Sequence, residues 1–438
     1  MSTAPEVEPA SPPLARSKPA FLRRVKIRGY KSIAFCDVTL EPLTILVGRN
    51  ASGKSNFLDA LAFLKDIFDF NLPEAVRRHG GVNAIRFRDS AGSNEIDFWL
   101  ELELPVPVRR MVGATRQNIS LVSYRLTIAS DASEEVRITR EEVTPHGVQG
   151  VDFLAPSREA LSRVITSALP KDDVQDYLDK MYPSDKPLAG LRRNGWMDVG
   201  LGAFLRNIGV YNFVPDAIRA IQRANPSGLL ARSGQNIPDV LRRLRSHDPK
   251  TVDRLTAYLA AITDHVVKFD SVSYGEFDTV RFHVQTKQHA PPSEFDAASM
   301  SDGTLRAMAA LVAAFQITRP HDSPNLVAIE EPETSLHPAA MRALVDALDE
   351  ATLRTQILLT THSADMLDNP TIRPENIRVV EMIDGETRIA PVDAASVEIV
   401  QQKLDTLGGL ERQNQLQPDL DDLERQRHLS KNGPEPKG

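Results

Sequence analysis

Four short segments of this chain hold side chains at spacings that chemistry can use. Gly48-Arg-Asn-Ala-Ser-Gly53-Lys54-Ser55 fits the pattern G-x-x-x-x-G-K-[ST]. Glycines there let the backbone turn so that successive N–H groups and a following helix N-terminus face an anion. Lys54 would reach β- and γ-phosphates as a point charge, and the Ser55 hydroxyl would ligate Mg²⁺. Leu326-Val-Ala-Ile-Glu330-Glu331-Pro332 ends an apolar run in two carboxylates. Glu330 suits a metal ion held through water, and Glu331 suits polarising an attacking water. In Thr360-Thr361-His362-Ser363-Ala-Asp365, the His362 imidazole can hydrogen-bond a phosphate or that water. In Ser299-Met-Ser301-Asp302-Gly303-Thr304, Ser301 and Gly303 open a helix whose N–H groups and dipole also suit a phosphate. The plainer reading of this last turn is an ordinary N-cap by Ser301 or Asp302.

Each segment needs an element to aim it. Residues 43–47 read as a buried strand and 56–68 as an amphipathic helix, the strand–loop–helix context that a phosphate loop requires. Residues 326–329 read as a core parallel strand delivering its carboxylates to the C-terminal edge of a sheet, with 332–338 as a loop. Residues 355–361 read as another buried strand, and 305–317 as the helix behind the Ser-x-Gly turn. The fold class is therefore α/β.

Taken in order, these segments resemble the head of the ABC-type ATPases. The chain is similar to the RecF/SMC-like branch, and within it to the stand-alone predicted ATPases related to the OLD-family ATPase domain. The resemblance rests on Val25-Lys-Ile-Arg-Gly-Tyr-Lys-Ser-Ile33, Gly-Lys-Ser-Asn at 53–56, Ser301-Asp-Gly-Thr-Leu-Arg306, Glu331-Pro-Glu-Thr-Ser-Leu-His-Pro338 and Thr361-His-Ser363, and it covers roughly residues 22–395. It implies a P-loop NTPase of ABC-head type, with a mixed central sheet, an antiparallel β subdomain and an inserted, mainly helical lobe. It implies ATP and Mg²⁺ as cofactors, with Asn50 and Asn56 joining Gly48, Gly53, Lys54 and Ser55 around the nucleotide. The catalytic pair would be Glu331 and His362, and Ser55 and Glu330 would hold the metal. Ser301 and Gly303 would cover the nucleotide of a second protomer, so the functional unit would be a homodimer around an ATP sandwich. Departures from the family pattern are Glu330 for the usual aspartate, Arg49 and Ala51 in the phosphate loop, Met300 in the signature turn and His337 in the loop after Glu331. No Q-loop glutamine is evident between Lys54 and residue 95.

Composition fits this reading. The chain has 438 residues, 41% hydrophobic and 25% charged, enough to bury a full core. Its single cysteine, Cys36, excludes an internal disulfide framework, and no apolar run approaches the ~18 residues of a membrane span. A cytoplasmic protein is expected. Residues 1–20 read as a disordered leader, 21–110 as the first half of the ATPase core, and 111–295 as an inserted β subdomain and helical lobe. Residues 296–400 read as the second half of the core and 401–438 as a polar tail with one short helix near 420–427. Too few residues follow His362 for the nuclease domain of OLD-type proteins, and the insertion has no heptads for a long coiled coil.

A net charge of −7 gives no global attraction to DNA, so any DNA site must be local. Candidate patches are Arg242, Arg243 and Arg245, Arg192 and Arg193, and Arg109 and Arg110. The expected function is ATP binding and slow hydrolysis driving dimerisation, in DNA repair, recombination or genome maintenance. The alternative is an ATPase sensor of an antiviral or toxin-type complex, with a separate effector protein and little turnover.

Overall fold

The computed structural model describes residues 20–88, 94–106, 118–131, 134–146, 201–223, 228–263, 265–285, 291–316 and 324–432. Its centre is a six-stranded sheet in the order β15 (Glu386–Pro391), β14 (Ile377–Ile383), β3 (Leu43–Val47), β13 (Gln356–Thr361), β12 (Leu326–Glu330), β7 (Ile208–Tyr211). All neighbours run parallel except the edge strand β15. β3 and β13 are buried at every position, as a sheet covered on both faces requires. Alternation then sorts their side chains between two cores: Ile45, Ile329 and Leu359 face one, Leu46, Ala328 and Leu358 the other.

The second core is closed by helix α1 (Lys54–Asp69) and a five-stranded antiparallel sheet, β2 (Ile33–Thr39), β1 (Phe21–Tyr30), β4 (Glu95–Val106), β5 (Asn118–Ser130) and β6 (Val136–His146). The alternation read at 95–104, 119–129 and 135–143 is thus realised as β4 to β6. The first core is closed by α2 (Ile237–His247), α3 (Pro249–Thr263), α4 (Asp302–Phe315) and α5 (Pro338–Ala351). A smaller antiparallel sheet flanks it: β10 (Phe277–Val284) pairs along one edge with β9 (Val266–Tyr274) and along the other with β8 (Gln222–Arg223) and β11 (Ser293–Asp296).

Two features differ from the sequence reading, and one part of it lies outside the described residues. Strand β7 falls within 111–295, the stretch read as an insertion, yet it extends the central sheet beside β12 through four buried residues. The helical periodicity at 161–169, and much of the helical lobe, lies outside the described residues. The polar tail is not free: α7 (Leu407–Arg412) and α8 (Leu420–Asn432) pack back on the core, with α6 (Ala364–Leu367) receiving the first of them. Leu407, Leu410, Leu416 and Leu423 are buried, and fully buried Gln426 donates to the Ile389 carbonyl at 2.8 Å. Four widely spaced leucines anchor a segment whose average composition reads as solvated. Among the described residues, no helix is long and apolar enough to cross a membrane.

Candidate nucleotide site

Parallel register assembles the site. Thr361 is level with Val47, and Glu330 with Thr360, so residues 48, 331 and 362 leave three neighbouring strands at one sheet edge. That is the edge where open parallel sheets bind ligands.

The phosphate loop between β3 and α1 is tightly seated. A methyl group on Gly48 would overlap the Val380 carbonyl, and one on Gly53 would overlap the Thr387 side chain. Ala51 holds φ of 65°, the left-handed conformation that explains why glycine is commoner there. Lys54 folds over its own loop, donating to the carbonyls of Gly48 (2.6 Å) and Arg49 (3.0 Å). Burial lowers the Lys54 pKa, opposed by the carboxylates of Glu331, Glu411 and Glu333. Asn50 is exposed on the loop. Asn56 points the other way: its amide donates to Ser32 Oγ at 2.6 Å, and Ser32 lies 2.7 Å from Thr387 Oγ1. The structure thus gives Asn56 the task of tying α1 to β15, while Ser52 Oγ in the loop is buried without a protein partner.

Ser55 Oγ donates to Glu330 Oε2 at 2.9 Å, joining a hydroxyl and a carboxylate beside the phosphate loop. These oxygen donors fit Mg²⁺, which takes few protein ligands and completes its shell with phosphate and water. No group of three or more His, Cys, Asp or Glu capable of holding a metal ion occurs among the described residues. The glutamate at 330 spans the distance to Ser55, so its extra methylene does not separate the pair.

Glu331 begins the turn after β12 with φ of 42°, and Ser335 within the same loop has φ of 70°. Both are costly for residues with a Cβ and persist here because the loop is pinned. The Glu331 N–H donates to the Thr360 carbonyl (3.1 Å), and Thr334 N–H to the Glu331 carbonyl (3.1 Å). The Glu331 side chain lies 3.5 Å from His362 Nδ1, and both are partly exposed. Beneath them Glu333 is buried at 4% exposure. It accepts from Thr361 Oγ1, and its other oxygen has no partner. Burial raises the Glu333 carboxyl pKa, the Thr361 hydroxyl opposing this.

The turn at 301–303 is both a helix cap and a contact surface. Ser301 Oγ accepts from the Thr304 N–H at 3.3 Å, capping α4. Asp302 is held by Arg219, which also donates to the Met300 carbonyl at 2.9 Å. Gly303 lies against the Ser335 carbonyl of its own chain. Among the described residues, no hydrogen bond or ion pair links residues 301–303 to the phosphate loop.

Sequence spacing did not reveal four groups at this site. Arg232 stands between Glu330 (3.6 Å) and Asp59 (3.5 Å). Arg219 fixes the signature turn, Glu333 underlies Glu331, and Glu411 comes from α7. Burial raises the Glu411 pKa, with Lys54 and His362 opposing. None of the four belongs to a local spacing pattern except Glu333, whose place two residues after Glu331 was a usable signal. The arginines proposed for DNA on α2 are engaged: Arg242 with Asp239 and Asp278, Arg243 with the Gly228 carbonyl, Arg245 with Asp253 and Asp270. Arg109, Arg110, Arg192 and Arg193 lie outside the described residues.

No curated protein matches the sequence. Among solved structures, the chain is similar to the Smc head domain of Pyrococcus furiosus bound to the C-terminal domain of ScpA, at 13% identity and a TM-score of 0.49, covering 88% of this chain and 99% of that one. It is also similar to the SMC head domain from Thermotoga maritima, at 13% identity and a TM-score of 0.39, covering 85% of this chain and 99% of that one. A family model described as an AAA domain, putative AbiEii toxin, type IV TA system, matches residues 43–368, which run from the phosphate-loop strand past His362. The match spans most of the chain, and the protein is a member of that AAA-domain family.

Proposed function

We propose that the protein is an ATP-driven dimerisation switch that hydrolyses ATP slowly. The observation that carries this reading is the convergence of Lys54, the Ser55–Glu330 pair and the Glu331–His362 pair at one sheet edge. In this reading Lys54 binds the β- and γ-phosphates once it leaves the Gly48 and Arg49 carbonyls. Ser55 and Glu330 hold Mg²⁺, which when bound neutralises charge on the phosphates. Glu331 orients and polarises the water, and His362 hydrogen-bonds the γ-phosphate or that water.

The signature turn acts in trans. Its helix N-terminus is built and held by Arg219, yet within its own chain it contacts the loop after Glu331 rather than the phosphate loop. A second copy of the chain would bring Ser301 and Gly303 to the nucleotide, closing two sites at once and converting binding energy into dimer population. Residues 21–110 and 296–400, joined by β7, form the ATPase core in this account.

The family description favours a toxin-type context, in which a separate effector acts while ATP holds the assembly. The DNA-maintenance reading draws no support from the α2 arginines, which are paired with acids and a carbonyl. The test is molar mass by light scattering of Glu331→Gln with and without Mg-ATP. A shift from monomer to dimer on adding ATP is expected. A mass indifferent to ATP rejects the switch.

A further inference from the structure

Arg232 forms an ion pair with Glu330 of the Ser55–Glu330 pair, and it belongs to neither the phosphate loop nor the strand ends. Its guanidinium reaches Asp59 on α1 with one nitrogen (3.5 Å) and Glu330 with the other (3.6 Å). Both contacts exceed the roughly 2.7–2.9 Å of a tight charge-assisted pair, and the side chain is 47% exposed. Asp59 is firmly held by Tyr30 (2.7 Å), Lys31 (2.5 Å) and His79 (3.1 Å). Glu330 has Ser55 as its hydrogen-bond donor. The arginine is thus anchored near a fixed carboxylate and lightly engaged with an exchangeable one.

The backbone around Arg232 leads elsewhere. Its carbonyl accepts from Asn212 N–H at 2.9 Å, directly after β7. Two residues earlier, the Leu230 N–H donates to Gln316 Oε1 at 2.9 Å. Gln316 ends α4 and is 2% exposed; its amide also donates to Tyr211 Oη at 2.8 Å and to the Ala313 carbonyl at 3.0 Å. A contiguous path therefore runs from Glu330 through Arg232 and Leu230 to the C-terminal end of the helix whose first turn carries Ser301 and Gly303. A 14-residue helix is a rod of roughly 20 Å, so reseating one end moves the other.

We propose that Arg232 is a positioning residue that reports occupancy of the Ser55–Glu330 metal site to the signature helix α4. A divalent cation with its nucleotide takes over Glu330, Arg232 withdraws toward Asp59 and the phosphates, and residues 228–236 reseat against Gln316. The inference rests on the nucleotide reading above. It adds a link through the far end of α4, besides the Gly303–Ser335 contact, between the phosphate site and the signature turn within one chain.

The experiment measures binding of a fluorescent ATP analogue with Mg²⁺ and with EDTA, for the wild type, Arg232→Ala, Arg232→Lys and Lys54→Ala. Amide hydrogen exchange is followed over 228–236 and the last turn of α4, away from the turn that would face a second protomer. In the wild type, Mg-nucleotide slows exchange in both regions. In Arg232→Ala, Mg-nucleotide still binds, the ratio of affinities with and without Mg²⁺ changes about fivefold, and the exchange response at α4 is lost. Arg232→Lys restores charge without the two-armed reach and recovers the Mg²⁺ ratio but not the α4 response. An Arg232→Ala protein with wild-type Mg²⁺ dependence and wild-type exchange changes overturns the proposal. A wild type that binds the analogue no better than Lys54→Ala overturns the nucleotide reading itself.

Discussion

Gly303 and Ser335 meet so closely that a methyl group on the glycine would overlap the serine carbonyl. This contact joins the turn at 301–303 to the loop that begins at Glu331. The Ser335 backbone sits at φ of 70°, so it has little freedom to retreat.

Gly303→Ala should therefore disturb hydrolysis more than folding. Displacing the 331–336 loop is expected to lower ATP turnover at least tenfold, while overpacking costs about 1–3 kcal/mol of stability. Steady-state turnover set beside ATP affinity checks this: affinity near wild type with turnover lost is the expected split. Unchanged turnover would mean that the 331–336 loop moves freely against the turn.

Lys54→Ala should weaken ATP binding by roughly tenfold or more, which corresponds to about 1.4 kcal/mol. Its amine donates to two loop carbonyls and feels three nearby carboxylates, and the loop keeps its other backbone contacts, so the fold should survive. Equilibrium binding together with a thermal melt separates the two effects. Normal ATP affinity in this variant would remove the phosphate-loop assignment.

Glu411→Gln should tighten ATP binding by about two- to fivefold, because a carboxylate near Lys54 opposes an incoming triphosphate. Its carboxyl pKa is raised by burial, so in the wild type the opposition weakens as pH falls and the group takes up a proton. Wild-type affinity should improve on acidification toward the carboxyl range, and the variant should flatten that part of the profile. Parallel pH profiles for the two proteins would place Glu411 outside the site's electrostatics.

His79 links two acids on α1, Asp59 at 3.1 Å and Asp66 at 3.3 Å. Burial alone would lower its pKa, but its hydrogen bonds to both carboxylates prevail and raise it. A raised folded-state pKa gives stability that is fully present below the unfolded value of about 6.5 and is lost as pH rises through the folded value. His79→Gln should therefore cost about 1–3 kcal/mol near pH 6 and less near pH 9, measured by denaturant unfolding. An equal cost at both pH values would show that the imidazole stays neutral throughout.

Much of the site could be read locally. The phosphate loop, the paired glutamates and the Thr-His-Ser strand end each lie within a few residues, and buried strands reveal themselves by continuous apolar runs such as 43–47 and 326–329. β7 was harder, since four residues carry too little periodicity to distinguish a core strand from a piece of a helical insertion. The tail misled for the opposite reason: Leu407, Leu410, Leu416 and Leu423 are too sparse to outweigh their polar neighbours in any average.

By itself the sequence determined which side chains can bind phosphate, coordinate a cation and activate water, because those capacities reside in residue type and local spacing. Tertiary structure alone decided that residues 48, 331 and 362 leave the sheet at the same edge, since parallel register depends on pairings between segments hundreds of positions apart. It likewise decided that Arg232 stands beside Glu330, that Glu411 faces Lys54 and His362, and that Arg219 holds the turn at 301–303. A charge acts through space over several ångströms, and where it acts depends on where the folded backbone carries it.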